Sequence, residues 1–366
     1  MKLRLLNNFY VMYKDNSFVL TNTQTHKSYI LDSEKMAVLA NPDLAVLDDD
    51  FVEAGIVGQA FVKESDWPFA PISKLFLESI SIKENETETL VGREFWENYL
   101  GVCSEILNKI HETKLPDCLQ QIDLPVANEM HYDFHTLLKK RRTIREFYNQ
   151  TVSLQYLTDI LYTTFGEFHD GFEEKYLDVE KTLSWRRSSP SAGGLHPIDA
   201  YVFVHNVEGL SQGLYFYDCR ANNLRLIKLK DYEKQFLDVF MGQYFYQNAA
   251  FHILTVGNLK TVAAKYAHSR AFLFPYIENG HLVQTAWLSA VAFGLKGWMT
   301  CAFSDEFFVK ELGLENSQVP ISFLSVGYGC DQSLGPKINK ELEEIGYSRD
   351  FVAAMAMKMA CREKVK

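Results

Sequence analysis

Residues 282–294 constrain the fold more than any other stretch of the sequence, because they are apolar on nearly every side of a helix. A helix without a polar face has to be buried all round. The stretch has 13 residues, fewer than the roughly 20 apolar residues that span a bilayer. The sequence therefore predicts a buried helix at the centre of a globular core, of a kind that suits the core of a dimer.

Apolar and alternating segments on both sides of this helix predict a sheet. The six candidate strands are residues 201–204, 214–218, 224–229, 251–256, 299–303 and 321–326. Upstream, Ser153 is the expected cap of a helix whose apolar stripe is formed by Leu154, Leu157, Ile160, Leu161 and Phe165. The predicted fold class is α+β, with one mixed central sheet flanked by helices.

A loop of small residues leads into the first of these strands and reads Pro190-Ser-Ala-Gly-Gly-Leu-His-Pro197. Because Gly193 and Gly194 lack Cβ atoms, a flat ligand could lie against the backbone amides, and the two prolines restrict the ends of the turn. The alternative is an ordinary tight turn before a strand.

Three arginines lie within about one helical turn, and the i,i+4 spacing of Arg141 and Arg145 would place both on one face, with Arg142 beside them. Guanidinium groups bind phosphate through charge-assisted hydrogen bonds. Since the chain carries a net charge of -10, this cluster is a local exception and predicts a phosphate site. The alternative is a solvated basic face.

Lys265 and Tyr266 are neighbours that follow the apolar segment 251–256. Each is a candidate for proton transfer if a pocket of low dielectric brings its pKa toward neutrality. The alternative is an exposed pair without a role. Later strands end at Gly297 and Gly327, where backbone donors can face a cofactor.

In this order the motifs resemble those of the nitroreductase superfamily of FMN enzymes, and specifically its SagB-type branch, the azoline oxidases of peptide natural-product biosynthesis. The matching motifs are Arg141-Arg-Thr-Ile-Arg-Glu-Phe147, the 190–197 loop, Gly213-Leu-Tyr-Phe-Tyr-Asp218, Lys265-Tyr266, Glu278-Asn-Gly-His281 and Val326-Gly-Tyr-Gly329. They extend over residues 131–330. The lysine–tyrosine pair and the Gly-Gly-Leu-His-Pro sequence are specific to the branch.

The resemblance implies a nitroreductase-like FMN fold in which two subunits are entwined, the 282–294 helix lies at their interface and the flavins bind between the chains. The protein would then be an obligate homodimer. The arginines would hold the FMN phosphate, the loop would line the isoalloxazine ring, Thr300 and Cys301 would reach its other edge, and Gln284 would cross the dimer. The implied cofactor-binding residues are Arg141, Arg142, Arg145, Pro190, Ser191, Ala192, Gly193, Gly194, Gln284, Thr300 and Cys301.

The implied reaction oxidises a thiazoline or oxazoline in a modified precursor peptide to the aromatic azole, with Lys265 or Tyr266 as the base. A cyclodehydratase would be the expected partner enzyme. The same branch includes proteins that resemble reductases of dehydroalanine or dehydrobutyrine, which would pair with a lanthionine synthetase. A scaffold subunit with structural FMN and a plain NAD(P)H nitroreductase are the remaining alternatives.

The N-terminal part of the chain has a different pattern. Strands are predicted at residues 9–13, 18–21 and 28–31. Two short helical stretches follow, at residues 34–40 and 48–57. This order resembles winged-helix peptide-recognition modules. Three parts are predicted: a small α+β module at 1–79, a linker and helical bridge at 80–130 with helical spacing over 94–107, and the FMN domain with a C-terminal extension at 131–366.

Several classes of protein are excluded by composition and spacing. Residues 1–8 lack the apolar core of a signal peptide. The six cysteines show no metal-binding spacing, and no convincing GxGxxG follows a strand. The acidic balance argues against a nucleic-acid partner. We expect a cytoplasmic enzyme that uses neither metal nor membrane.

Overall fold

The computed structural model describes residues 3–5, 9–14, 16–22, 27–40, 50–51, 57–59, 76–77, 79–81, 91–107, 115–168, 186–266 and 268–347. The chain divides into two compact units. One contains residues 1–96 and 267–271, and the other contains residues 97–266 and 272–366. Residues 82–90 of the predicted 80–130 bridge and residues 348–366 of the predicted FMN domain with its extension lie outside the described residues.

The smaller unit contains two small sheets. β1 (Leu3–Leu5) pairs with β5 (Val57–Gln59), and β2 (Phe9–Lys14), β3 (Ser17–Asn22) and β4 (Ser28–Leu31) form an antiparallel meander. The meander occupies the three predicted strand segments. Helix α1 (Ser33–Leu39) follows, and the Asp32 side chain caps it by accepting a bond from the Lys35 amide. The predicted second helical stretch at 48–57 falls mostly outside the described residues, and Val57 begins a strand instead.

The larger unit is built on one seven-stranded sheet with the order β11-β12-β10-β7-β8-β9-β6. Its strands are β6 (Gln120–Asp123), β7 (Ile198–Val204), β8 (Gly213–Asp218), β9 (Asn223–Leu229), β10 (Phe251–Asn258), β11 (Lys296–Thr300) and β12 (Gln318–Gly327). Five of them occupy the segments predicted from the sequence, whereas β11 begins three residues before the predicted segment 299–303 and overlaps it only at residues 299 and 300. The edge strand β6 was missed because it lies in the predicted bridge and has a polar sequence.

Every neighbouring pair in this sheet is antiparallel, so the expectation of a mixed sheet needs correction. Parallel pairing occurs in the described residues only as isolated bridges, such as the one between Thr143 and Gly297. The physical reason lies in the connections. β7, β8 and β9 follow one another through short turns, which join antiparallel strands without a crossover.

Further helices follow α1 along the chain. They are α2 (Gly92–Leu107), α3 (Phe134–Lys140), α4 (Leu154–Phe165), α5 (Glu233–Val239), α6 (Leu259–Ala263), α7 (Phe274–Ala292), α8 (Asp305–Leu312) and α9 (Pro336–Glu344), with 3-10 turns at Ala192–Gly194 and Ser269–Leu273. α2 contains the predicted 94–107 helix. Within the described residues, no helix is long and apolar enough to cross a membrane.

The sheet separates two layers of core. Alternate residues of β7 point to opposite faces, so Val202 packs with the aliphatic cluster under α4 and α7, whereas Phe203 packs with an aromatic cluster that includes Phe236 and Phe323. Burial on both faces explains why these strands read as nearly continuous apolar runs. The α+β fold with a central sheet flanked by helices is the one the sequence predicted.

The long helix α7 starts earlier than the apolar stretch suggested. Its residues Leu282, Ala286 and Ala290 are buried, and the Ser153 cap and apolar stripe of α4 lie where they were predicted. However, one face of α7 is not covered by this chain, because Ile277 is 58% exposed and Gln284 is also exposed. Within the predicted stretch 282–294, Gln284 is exposed in this helix, so burial on every side is not met by the part of the chain that the structure describes.

Candidate functional site

The loop at residues 190–197 enters β7 directly, as the sequence predicted. Its centre is a short 3-10 turn, and Gly193, Gly194 and His196 all have left-handed backbone conformations, with φ of 62°, 67° and 47°. The amide of Asn258, at the end of β10, donates to the carbonyl of Pro197 at 2.8 Å. The loop is thus fixed to the end of the neighbouring strand.

The structure brings Lys265 and Tyr266 to this loop. A Cβ atom built on Gly193 would lie 2.7 Å from Tyr266 Oη and 2.9 Å from Lys265 Nζ. Lys265 Nζ also donates to the Gly193 carbonyl at 3.4 Å. The space left by the missing side chain of Gly193 is therefore occupied by the lysine–tyrosine pair, and not by open solvent.

The pair is positioned by a strand end and a short helix. Asn258 terminates β10 and caps α6 by accepting bonds from the amides of Lys260 and Thr261. The amides of Lys265 and Tyr266 then donate to the carbonyl of Val262 in the turn that follows. This local folding, and not the identity of the pair alone, directs both side chains toward the loop.

Aromatic side chains pack around the pair. The Tyr266 ring meets the Phe274 ring edge to face, with centroids 5.0 Å apart. Lys265 Nζ lies 4.9 Å from the ring centroid of Tyr99 in α2, a cation–π distance. Sequence reasoning missed Tyr99, since it precedes all the recognised motifs and nothing local marks it.

A buried ionic group lies beneath the loop. Ser191 Oγ donates to Glu278 Oε2 at 2.5 Å, while the other carboxylate oxygen is 3.8 Å from both Arg187 Nη1 and His196 Nδ1. Arg187 is further held by the carbonyls of Phe165 and Ile198. The sequence placed Glu278 in a motif, but nothing in that motif connected it to Arg187.

Burial shifts two titrations here. Desolvation lowers the pKa of His196, and the neighbouring carboxylate of Glu278 opposes this shift. Desolvation also raises the pKa of Asp199 to about 6, opposed by the charge of Arg187. Burial therefore favours the neutral form of His196 beside the Arg187–Glu278 pair.

The three arginines do not lie on one helical face. α3 ends at Lys140, and the segment that follows is extended because Ile144 and Phe147 are buried, with the Ile144 amide donating to the Gly297 carbonyl at 2.9 Å. The helical interpretation of the arginine spacing was wrong for this reason.

Each arginine instead has its own contact. The guanidinium of Arg141 lies over the ring of Trp287 and that of Arg145 over the ring of Phe245, and Arg142 donates to the carbonyl of Asp331. Trp287 follows Glu278 by nine residues in α7, a separation of about 14 Å along the helix axis. Arg141 and the loop therefore contact α7 at positions about 14 Å apart along its axis.

The remaining predicted residues are dispersed. Thr300 is buried at the end of β11, where its hydroxyl accepts from the Ala302 amide at 3.0 Å. Cys301 is exposed, although partial desolvation raises the pKa of its thiol. Gln284 lies on the uncovered face of α7. Among the described residues, none of the three is hydrogen-bonded to the loop.

Another cluster of potential ligands lies elsewhere in the larger unit. The ligand atoms of His205, Asp231 and Glu233 lie within 4.8 Å of one another. One carboxylate oxygen of Glu233 accepts from the Asn248 amide, and one of Asp231 accepts from the Glu233 amide. These bonds explain the arrangement without an ion.

Comparisons with known proteins agree on one family. The family model described as "Nitroreductase family" matches residues 138–328. A protein of Methanocaldococcus jannaschii that carries a nitroreductase name is 27% identical over 208 residues, which are 57% of this chain and 96% of that protein.

The similar solved structures have low sequence identity to this chain. A nitroreductase-type protein of Anabaena variabilis is 22% identical with a TM-score of 0.49, over 68% of this chain and 50% of that one, so this chain spans half its length. The E. coli microcin synthetase McbBCD complex with truncated pro-MccB17 is 18% identical with a TM-score of 0.41, over 81% and 94% of the two chains.

Proposed function

The chain belongs to the nitroreductase family, and from that premise we propose that it is an FMN-dependent oxidoreductase that oxidises azoline rings in a modified peptide to azoles. FMN is the typical cofactor of this family. The observation that carries the finer proposal is the contact of Lys265 and Tyr266 with Gly193, because this pair and this loop are the motifs specific to the azoline-oxidase branch.

The loop residues fit a flavin. The amides of Gly194, Leu195 and His196 donate within the loop, while those of Ala192 and Gly193 have no acceptor among the described residues. Two adjacent free donors at a left-handed turn suit the polar edge of an isoalloxazine ring. The FMN phosphate would be held by Arg141, Arg142 and Arg145. Their guanidinium groups donate charge-assisted hydrogen bonds, and they are a basic exception in a chain with a net charge of -10.

Azole formation removes a proton and a hydride from adjacent ring carbons. FMN, when bound, supplies the two-electron acceptor for the hydride. The proton would be taken either by Lys265 acting as the neutral amine or by Tyr266 acting as the phenolate. Both groups lie against the Gly193 backbone, which supports their assignment beside the proposed ring site. The Tyr99 ring packs 4.9 Å from Lys265 Nζ.

The protein is proposed to work as a homodimer. The uncovered face of α7 carries Ile277 and Gln284, and an exposed apolar residue on an otherwise buried helix suits a subunit interface. Arg141 and the loop contact the same helix at separate positions, so a flavin between two chains could meet the arginine of one chain and the loop of the other. A modified precursor peptide would be the substrate, with a cyclodehydratase as the partner enzyme.

The test separates cofactor binding from chemistry. We expect the purified protein to be yellow with one FMN per chain, and Lys265→Ala and Tyr266→Phe to keep FMN while azole formation on a thiazoline peptide falls by roughly 10²- to 10⁴-fold. Lys260→Ala is the matched control, since Lys260 lies in the preceding helix and pairs with Glu315 at the surface.

Three outcomes would contradict the proposal in different ways. A folded protein that takes up no FMN would overturn the flavoenzyme. Wild-type azole formation in both variants would leave the pair without a catalytic role. Reduction of a dehydroalanine peptide without any azole formation would favour the lanthipeptide reductase, and loss of both activities with FMN bound would favour the scaffold.

A further inference from the structure

Glu278 is a buried carboxylate that the proposed chemistry does not use. It lies in α7, and only 3% of its side chain is exposed. An ionised carboxylate in such a place is costly unless it is paired and hydrogen-bonded. Here Ser191 Oγ donates to one oxygen at 2.5 Å, and Arg187 supplies a positive charge 3.8 Å from the other.

Ser191 connects Glu278 to the 190–197 loop through hydrogen bonds. Its hydroxyl donates to Glu278 and at the same time accepts from the His196 amide at 2.9 Å. A hydroxyl has one donor and two acceptor positions, so the bond to the carboxylate orients the lone pair that meets His196. Since His196 is a non-glycine residue at φ 47°, its strained conformation has to be held by its surroundings.

The helix that carries Glu278 is itself fixed. The side-chain oxygen of the next residue, Asn279, accepts from Thr255 Oγ1 at 2.5 Å and from Ser322 Oγ at 3.0 Å. Thr255 and Ser322 belong to β10 and β12, the centre of the sheet. Asn279 therefore anchors α7 to the sheet, and these bonds fix the backbone position of the adjacent Glu278.

We propose that Glu278 is a positioning residue that holds the 190–197 loop, through Ser191, in the conformation that binds the flavin. The bond from Ser191 to Glu278 and the bond from His196 to Ser191 close the loop around Gly193 and Gly194. That closure presents the Ala192 and Gly193 amides and sets the carbonyl that Lys265 contacts. The inference rests on the proposed function, in which this loop holds FMN.

The experiment compares Ser191→Ala, Glu278→Ala, Glu278→Gln and the Ser191→Ala/Glu278→Ala double variant. Two quantities are measured: the FMN dissociation constant by flavin fluorescence, and amide hydrogen exchange at His196 in flavin-free protein. Glu311→Gln is the control, because Glu311 is another largely buried carboxylate with three partners, Lys228, Lys230 and Tyr232, away from the loop.

We expect Ser191→Ala and Glu278→Ala each to weaken FMN binding by about tenfold or more, the effect of losing a hydrogen bond to a charged group. The double variant should be no worse than either single variant, because both break one chain of contacts. Glu278→Gln keeps an oxygen acceptor for Ser191 and should restore most of the affinity. Exchange at His196 should accelerate by about three- to tenfold in the alanine variants and stay unchanged in Glu311→Gln.

Unchanged exchange at His196 and unchanged FMN affinity in Ser191→Ala would overturn the inference, as would additive losses in the double variant. If Glu278→Ala does not fold, Ser191→Ala still decides, since it removes no charge. A wild-type protein that fails to bind FMN would refute the proposed function, whereas the exchange at His196 would still report whether Glu278 holds the loop.

Discussion

Gly193 has two separate reasons to be glycine. Its φ of 62° favours a residue without a side chain, and its missing Cβ leaves room for Lys265 Nζ and Tyr266 Oη. The first reason concerns the stability of the loop, and the second concerns the placement of the proposed base. A matched pair of substitutions can separate them.

Gly193→Ala should therefore lose more than stability. Gly209 offers the control, because its φ is 73° and no atom lies within 4 Å of a Cβ built there. Both alanine variants should unfold about 1 kcal/mol more easily, as measured by urea titration. Only Gly193→Ala should displace the lysine–tyrosine pair and lower turnover by at least about tenfold. Equal turnover in the two variants would mean that the close approach has no functional weight.

Single residues also show where sequence reasoning stops. The loop and the lysine–tyrosine pair were recognisable from local motifs, but they are 72 residues apart, and only the pairing of β7 with β10 brings them together. The arginine spacing suggested a helix, yet Ile144 and Phe147 make the segment extended by bonding to the sheet edge. Tertiary pairing overrode the local pattern in both cases.

Among the elements, α7 carries the most information. Its apolar sequence predicted burial, but a sequence has no means of showing which chain covers each face. In the single chain, Leu282, Ala286 and Ala290 pack on the sheet while Ile277 and Gln284 stay uncovered. The positions of the strands were easier to predict than their order in the sheet. An apolar run indicates a strand that is buried on both faces, but it does not indicate which strand lies next to it.

Substitution of Ile277 by glutamate tests whether the uncovered face of α7 is a subunit interface. A charge there would be desolvated in the dimer without a partner, so Ile277→Glu should shift the protein to monomers in light scattering and release FMN. Leu229→Glu is the control, because Leu229 in β9 is exposed to the same extent, 58%, and lies outside α7. Dimerisation that survives Ile277→Glu with FMN still bound would place the interface elsewhere.

For the molecule as a whole, the dependence of stability on pH follows from what the aromatic layer buries. His252 in β10 stacks on Phe323 with centroids 5.0 Å apart, and its Nδ1 is 2.9 Å from Ser325 Oγ. Desolvation lowers the pKa of His252 to about 3. Asp199 acts in the opposite direction, since burial raises its pKa to about 6. Protonation of His252 and of Asp199 therefore changes the free energy of unfolding at acid pH in opposite directions. A substitution of His252 isolates its contribution.

His252→Asn should remove the acid-sensitive term. In the fold, His252 remains neutral down to about pH 3, whereas in the unfolded chain it binds a proton below its ordinary pKa of about 6.5. The folded pKa is depressed, so the wild type loses stability as the pH falls from about 6.5 toward 3. Between pH 7.5 and 5 the wild type should lose roughly 2 kcal/mol more than His252→Asn, whose amide can still bond to Ser325. Urea unfolding at both pH values measures this difference, with His131→Asn as an exposed control. Parallel losses in the wild type and His252→Asn would show that protonation of another group governs acid unfolding.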